Sequence, residues 1–144
     1  MVKKSLAGLM LLCASVATGA AEKQFGNVIV SEVTSIYDAD TFNVNIQGWP
    51  AIIGERISVR LLGVDAPEIR GKCESEKQAA RRAKEFTVAA LRSAKSIELK
   101  NIQRGKYFRI LADVYVDGVN LSDALIRQKH ARPYDGGKRS GWCQ

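Results

Sequence analysis

Apolar and polar residues alternate, imperfectly, along residues 28–46, a stretch rich in Val, Ile, Thr, Tyr and Phe. That spacing predicts two strands, parted by the turn-prone Asp38-Ala39-Asp40. Residues 48–54 carry Trp49 and Pro50 and read as a loop, after which 56–64 alternate again as a third strand. Asp65-Ala66-Pro67-Glu68 ends the pattern, because a residue before proline avoids the helical region and proline offers no N–H to a ladder. From Ser75 the period lengthens. Ser75-Glu76-Lys77-Gln78 suits a capping box, and Ala79, Ala83, Phe86, Ala90, Leu91 and Ala94 recur at helical spacing. The other face of this helix bears Lys77, Arg81, Arg82, Lys84, Arg92 and Lys95 and reads as a solvated surface rather than a binding one. Residues 96–101 and 109–116 predict two further strands, the second running into the Asp117-Gly118 turn. Asn120 then caps a short helix reaching Gln128, with Leu121, Ala124 and Leu125 inward. The order βββαββα predicts a mainly β fold with α, a small barrel of five strands with helices packed on it, since a doubly wound sheet would alternate strands and helices.

A chain of 144 residues, 46% hydrophobic and 26% charged, suits one globular domain. Residues 1–20 are of another kind: Lys3 and Lys4, an apolar run over 6–16, then small residues, as in a secretory signal peptide. The run is too short to span a bilayer. Cleavage is expected after Ala20, leaving residues 21–144 as a single exported domain in the periplasm or the medium. Lys3 and Lys4 leave with the leader, so the net charge of +7 becomes +5, still basic enough to point to an anionic partner such as nucleic acid or acidic lipid. Cys13 leaves too. Cys73 and Cys143 remain, in a compartment where disulfides persist, and are expected to pair, the alternative being two free thiols.

The single histidine, His130, excludes a two-imidazole acid/base pair and histidine-rich zinc chemistry. No phosphate-cradling P-loop, dinucleotide fingerprint, Gly-x-Ser-x-Gly elbow or four-ligand zinc spacing occurs. Asp38-x-Asp40 imitates the start of a helical Ca²⁺ loop, but Phe42 stands at the third ligand position and Trp49 replaces the closing Glu. What remains is a set of acids and cations near strand ends: Asp38, Asp40, Arg60, Asp65, Glu68 and Arg109. Carboxylates from separate strands can hold a hard cation, arginine forks can clamp a phosphodiester, and a further carboxylate can deprotonate water. Ordinary surface ion pairs are the competing account of the same residues.

Several of these residues sit in segments that resemble the staphylococcal-nuclease-like (thermonuclease) family over nearly the whole of residues 21–144. Ile36-Tyr37-Asp38-Ala39-Asp40-Thr41 resembles the family's first metal segment, and Val59-Arg60-Leu61-Leu62-Gly63-Val64-Asp65-Ala66-Pro67-Glu68 its signature stretch. Lys106-Tyr107-Phe108-Arg109 is similar to the second-arginine segment, and residues 119–128 to a helix motif in which Lys129 stands where Gly is common. The resemblance implies an OB-fold barrel and a Ca²⁺-dependent nuclease acting on DNA, including single-stranded DNA, and RNA, leaving 3′-phosphorylated products. Carried over, Asp40, Asp65 and the main-chain carbonyl of Ala66 would bind Ca²⁺, with Asp38 acting through water. Arg60 and Arg109 would hold the scissile phosphate, Glu68 would be the general base, and Lys106, Tyr107 and Tyr134 would line the substrate pocket.

The chain departs from the family pattern at Ala66, where some members have Thr, at Gly105, where Asp is frequent, and at Phe108, where Gly is frequent. Phe108 is expected to pack beneath the barrel rather than stack on a base. Two other classes fit the composition: a secreted OB-fold that binds nucleic acid without cutting it, and a basic domain that binds anionic surface polymers or a protein partner.

Overall fold

The computed structural model describes residues 25–143. The expected leader, residues 1–20, lies outside the described residues. Strands β1 (Val28–Ile36), β2 (Thr41–Ile46), β3 (Ile57–Leu61), β5 (Ile97–Arg104) and β6 (Ile110–Val116) form one sheet. β4 (Val64–Asp65) follows β3, and β7 (Val119–Asn120) follows β6 across a turn at Asp117 and Gly118. The sheet closes because β3, at one edge, also pairs in parallel with β6, matching Val59 to Ile110 and Leu61 to Ala112. The result is a closed five-stranded barrel with helices packed on it, an OB-type architecture, as the order of predicted elements required.

The imperfect alternation of the first strand has a structural cause. β1 meets β2 antiparallel with two register shifts, one between Val30 and Glu32 and one between Val33 and Ser35. Each bulge adds a residue, so the residues turned toward the core run Val28, Val30, Val33, Ile36 instead of strictly every second one. The added residues are polar and tie back to the partner strand: Ser31 and Thr34 donate side-chain hydrogen bonds to the carbonyls of Asn45 and Asn43. β2 needs no such correction. Phe42, Val44 and Ile46 are buried between half-exposed Thr41, Asn43 and Asn45. With Val59, Leu61, Leu99, Ile102 and Val114 they fill the barrel.

Three expectations are corrected. Residues 51–54 form a one-turn helix, α1 (Ala51–Gly54), where a plain loop was predicted. The long helix α2 (Glu74–Ser93) is capped by Cys73 and begins before Ser75, so Ser75 is not its cap. Its buried face is Glu76, Ala80, Ala83, Thr87 and Leu91, with the predicted Phe86, Ala90 and Ala94 packed against the core beside it, and two polar residues join that face because they have inward partners. Thr87 donates to the carbonyl of Ala39, and Glu76 accepts from the amides of Lys72 and Glu68. Thirdly, Phe108 does not pack beneath the barrel; it is 90% exposed.

α3 (Leu121–Arg127) agrees with expectation. Asn120 accepts from the amides of Ser122 and Asp123, and Leu121 and Leu125 are buried. Lys129, at the usual Gly position, adopts a left-handed backbone with φ of 59°. Past α3 the chain forms β8 (Arg132–Pro133), which pairs with β4 and sets Arg132 beside Asp65. Cys73 and Cys143 are bridged, with their Cα atoms 5.9 Å apart. Closing that span of 70 residues constrains the unfolded chain by about 4 kcal/mol in the chain-entropy picture. Among the described residues, no helix is long and apolar enough to cross a membrane.

Candidate active site

The first acids sit in the corner between β1 and β2. The amides of Tyr37 and Asp38 donate to the carbonyl of Thr41, which folds the corner tightly, and Thr87 of α2 grips it through Ala39. Within it, the Asp40 amide donates to Asp38 Oδ1, and Asp38 and Asp40 are both buried. Asp40 is thoroughly engaged: Oδ1 accepts from the Thr41 hydroxyl at 2.9 Å and from an Arg60 nitrogen at 3.3 Å, and Oδ2 from the Ala66 amide at 3.3 Å. Three separate segments thus converge on one carboxylate.

Arg60 comes from the middle of the barrel wall, where β3 runs between β2 and β6. Its guanidinium lies between two acids, with one nitrogen 3.1 Å from Asp40 Oδ2 and 3.9 Å from Asp65 Oδ1. That nitrogen is buried and aligned as a hydrogen bond with neither, so the contact is one of charge rather than of a paired fork. Arg60 is only 9% exposed, a burial that a guanidinium tolerates when carboxylates face it. Asp65, at the end of β4, is equally buried.

Asp38 bears the cost of this burial first, and of the acids around it second. Burial, the neighbouring Asp40 and the charge of Glu68 push Asp38 up to about 7 from an ordinary 3.8. A carboxyl in this state welcomes a cation. The donor set, carboxylate oxygens without thiolate or imidazole, fits a hard ion such as Ca²⁺ rather than a soft one. Among the described residues no three of these acids bring oxygens within 4.8 Å of one another; the one group that close is Cys73, Glu76 and Cys143, whose sulfurs are bonded to each other. Arginine nitrogens stand between the acids instead.

Two residues of that arrangement were not anticipated. Arg139, in the chain's last stretch, places Nε 3.2 Å from Asp65 Oδ1 and another nitrogen 2.9 Å from Glu68 Oε1. Burial alone would lower its pKa, yet Asp65 and Glu68 raise it on balance. Trp142 donates its indole N–H to Asp65 Oδ2 at 3.1 Å. A third, Glu76, was read only as part of a cap; its carboxylate holds the 68–72 loop from below, and a side chain at Gly71 would meet it at 2.5 Å.

The remaining expected residues lie apart from the acids. Arg109 directly precedes β6, the strand beside Arg60, and its Nε is buried without a partner among the described residues. It makes no ion pair with the acids. A buried guanidinium nitrogen without a hydrogen-bond partner is unusual. Lys106, Tyr107 and Phe108 form the hairpin tip before it, Tyr107 94% exposed, both aromatics left-handed with φ of 57° and 59°. Gly105 starts this tip because a Cβ there would meet the Arg109 carbonyl oxygen at 2.7 Å. Tyr134 shares a cleft of about 380 Å³ with Asp65, Arg132, Lys138 and Arg139, and its hydroxyl donates to the Gly137 carbonyl. His130 packs on Phe86 and takes no part.

A family model described as staphylococcal nuclease homologue matches residues 58–140, more than half the chain, from β3 to the tail that carries Arg139. The chain belongs to the staphylococcal nuclease family. The matched stretch includes Arg60, Asp65, Glu68 and Arg109, while Asp38 and Asp40 precede it, Asp40 joining the same site through Arg60 and Asp38 through the Asp40 amide. The family is one of nuclease-type OB folds, typically metal-dependent, and what this chain does with its acids and arginines has to be argued from the site itself.

Proposed function

We propose that the protein is an exported, Ca²⁺-dependent nuclease that hydrolyses phosphodiester bonds of DNA and RNA with little sequence preference and leaves 3′-phosphorylated ends. The observation that carries this reading is Arg60, buried between Asp40 and Asp65, with Glu68 beside them and Arg109 holding an unpartnered nitrogen one strand away. Surface ion pairs do not bury like this. The export part rests on the leader-like residues 1–20 and on the disulfide.

In the reaction, Arg60 and Arg109 bind the non-bridging oxygens of the scissile phosphate and stabilise the charge that grows as water attacks phosphorus. Glu68 accepts the proton of that water, the P–O5′ bond breaks, and the 5′ oxygen leaves protonated by solvent, so the phosphate stays on the 3′ side. Asp40 and Asp65, with the Ala66 carbonyl and Asp38 through water, would hold the ion, which when bound neutralises phosphate charge and acidifies water. The exposed Lys106, Tyr107 and Phe108 receive the neighbouring phosphate and bases, with Tyr134 lining the cleft on the other side of Asp65.

Digestion of single-stranded DNA with Ca²⁺ or with EDTA tests the reading, with Asp40→Ala prepared alongside. Cleavage is expected only with Ca²⁺ and only by the parent. One observation favours a second reading, a nucleic-acid binder that does not cut: Arg139 already pairs with Asp65 and Glu68. Binding of the oligonucleotide without any Ca²⁺-dependent cleavage would decide for it.

A further inference from the structure

The stretch after β8 has little regular structure, and residues 135–141 are exposed, yet it sends Arg139 and Trp142 into the acid cluster. Its grip on Asp65 is complete. Trp142 holds Oδ2 and Arg139 faces Oδ1, so the two tail donors take one oxygen each. Arg139 spans on to Glu68, three residues further along the loop. The indole is itself oriented: the Arg132 guanidinium lies 3.7 Å over its ring and donates to the Gly141 carbonyl at 3.0 Å. Cys143, next in the chain, is bonded to Cys73, the cap of α2.

These contacts close a ring. The loop from Asp65 to Cys73 carries the candidate base; Glu76 fixes it from below through the Glu68 and Lys72 amides, and the tail fixes it from above. A segment this exposed, with few side-chain contacts of its own, has little to order it besides the bridge and the pairs it makes in the site. Two donors on one carboxylate set its rotamer, as outer-shell hydrogen bonds do for groups that bind ions or substrate.

We propose that the disulfide-anchored tail is a working part of the active site, in which Trp142 positions Asp65, Arg139 positions Glu68, and the Cys73–Cys143 bridge makes both dependent on oxidation. The effect on turnover rests on the nuclease reading; the positioning itself does not. Arg139 and Trp142 act here as positioning residues, through Asp65 and Glu68.

The test compares the oxidised protein with the protein reduced by a phosphine, and with Trp142→Phe and Arg139→Gln, each checked for folding by circular dichroism and a thermal melt. Trp142→Phe keeps an aromatic ring for Arg132 to cover and removes the N–H together with the pyrrole ring that carries it. With single-stranded DNA and Ca²⁺, kcat is expected to fall about 10–100-fold on reduction and about tenfold in either variant, with KM changed less than about threefold. Folded variants whose kcat stays within twofold of the parent would overturn the proposal, and a rise in kcat would make the tail a block rather than a support. A readout that needs no cleavage separates this from failure of the nuclease reading. The protein has two tryptophans, so an ¹H–¹⁵N spectrum shows two indole N–H signals, and Trp142→Phe identifies one. That signal is expected to shift on Asp65→Ala and to move to a solvent-exposed position on reduction. A Trp142 indole signal indifferent to both would overturn the positioning even in a protein that cuts nothing.

Discussion

The acid cluster has two halves held by different means. Asp38, Asp40 and Arg60 belong to the barrel: strand register aligns Thr41 with Arg60, the β1–β2 corner that carries both acids is pinned by Thr87, and all three residues are buried. Asp65 ends the two-residue strand β4 and Glu68 lies in the loop from there to α2, both kept in place by Glu76, Arg139, Trp142 and a covalent bridge. A barrel can fix a charge with hydrogen-bonded strands alone, whereas a loop that must present a half-exposed base needs tethers from elsewhere in the chain.

The largest break in this contrast comes from its rigid half. Arg60→Lys keeps a positive charge but loses the planar fork, and nothing in the barrel can move to compensate. Turnover is expected to fall about 10³-fold, on the order of 4 kcal/mol of transition-state stabilisation, with oligonucleotide affinity changed only a few-fold. Steady-state kinetics beside a binding titration check this, and equal losses in both would make Arg60 a binding contact only. Glu68→Gln probes the tethered half. It removes the base and half of the Arg139 pairing while leaving Asp40 and Asp65 in place. A loss of about 10²-fold in kcat is expected, with Ca²⁺ affinity by calorimetry largely kept. Near-normal turnover would remove Glu68 from the mechanism.

Asp38 sharpens the electrostatic side of the contrast. Its folded pKa is raised, from 3.8 to about 7, so the folded state binds the proton more tightly than the unfolded one. The penalty is absent below the unfolded value, grows as pH rises between the two, and is fully present above about 7. Asp38→Asn in EDTA is therefore expected to stabilise the protein more at pH 8 than at pH 5, by a margin on the order of 2–3 kcal/mol. Urea melts of parent and variant at the two pH values measure it. A margin of the opposite sign would mean that the Asp38 carboxylate is already compensated by a cation within the fold.

The same contrast decides what could be read in advance. The barrel half was legible because its signals are local: alternation gave the strands, and Asp38-Ala39-Asp40 and the run from Val59 to Glu68 each place their charges within a few residues of one another. Even the broken alternation of β1 was information, the trace of two bulges. Asp65 and Glu68 were legible in the same run, but their tethers were not, because Arg139 meets Glu68 across 71 residues and Trp142 meets Asp65 across 77, and no periodicity links them. Cys143 was the single pointer, placing the tail near Cys73 without saying what else arrives with it. Two inward residues of α2 were missed for a related reason. Thr87 and Glu76 are polar and point inward because their partners, the Ala39 carbonyl and the Lys72 and Glu68 amides, come from other segments.

Phe108 gives the smallest effect. Tyr107 and Phe108 are almost fully exposed and share a strained left-handed tip, at a conformational cost that no packing in the barrel offsets. Such a tip persists for what it presents. Phe108 lines a groove with Trp49, Ile52, Arg56 and Arg109, an apolar floor with cationic edges that continues from the unpartnered Arg109 nitrogen. An unpaired base stacked there gains on the order of 1–3 kcal/mol, whatever its sequence, while its phosphates meet the arginines. Phe108→Ala is expected to raise KM for single-stranded DNA about fivefold with kcat held within twofold, and Phe108→Tyr to restore it. Since Phe108 touches neither half of the acid cluster, a matching loss of kcat would show that the hairpin tip positions Arg109, and stacking would then be the wrong account of its exposure.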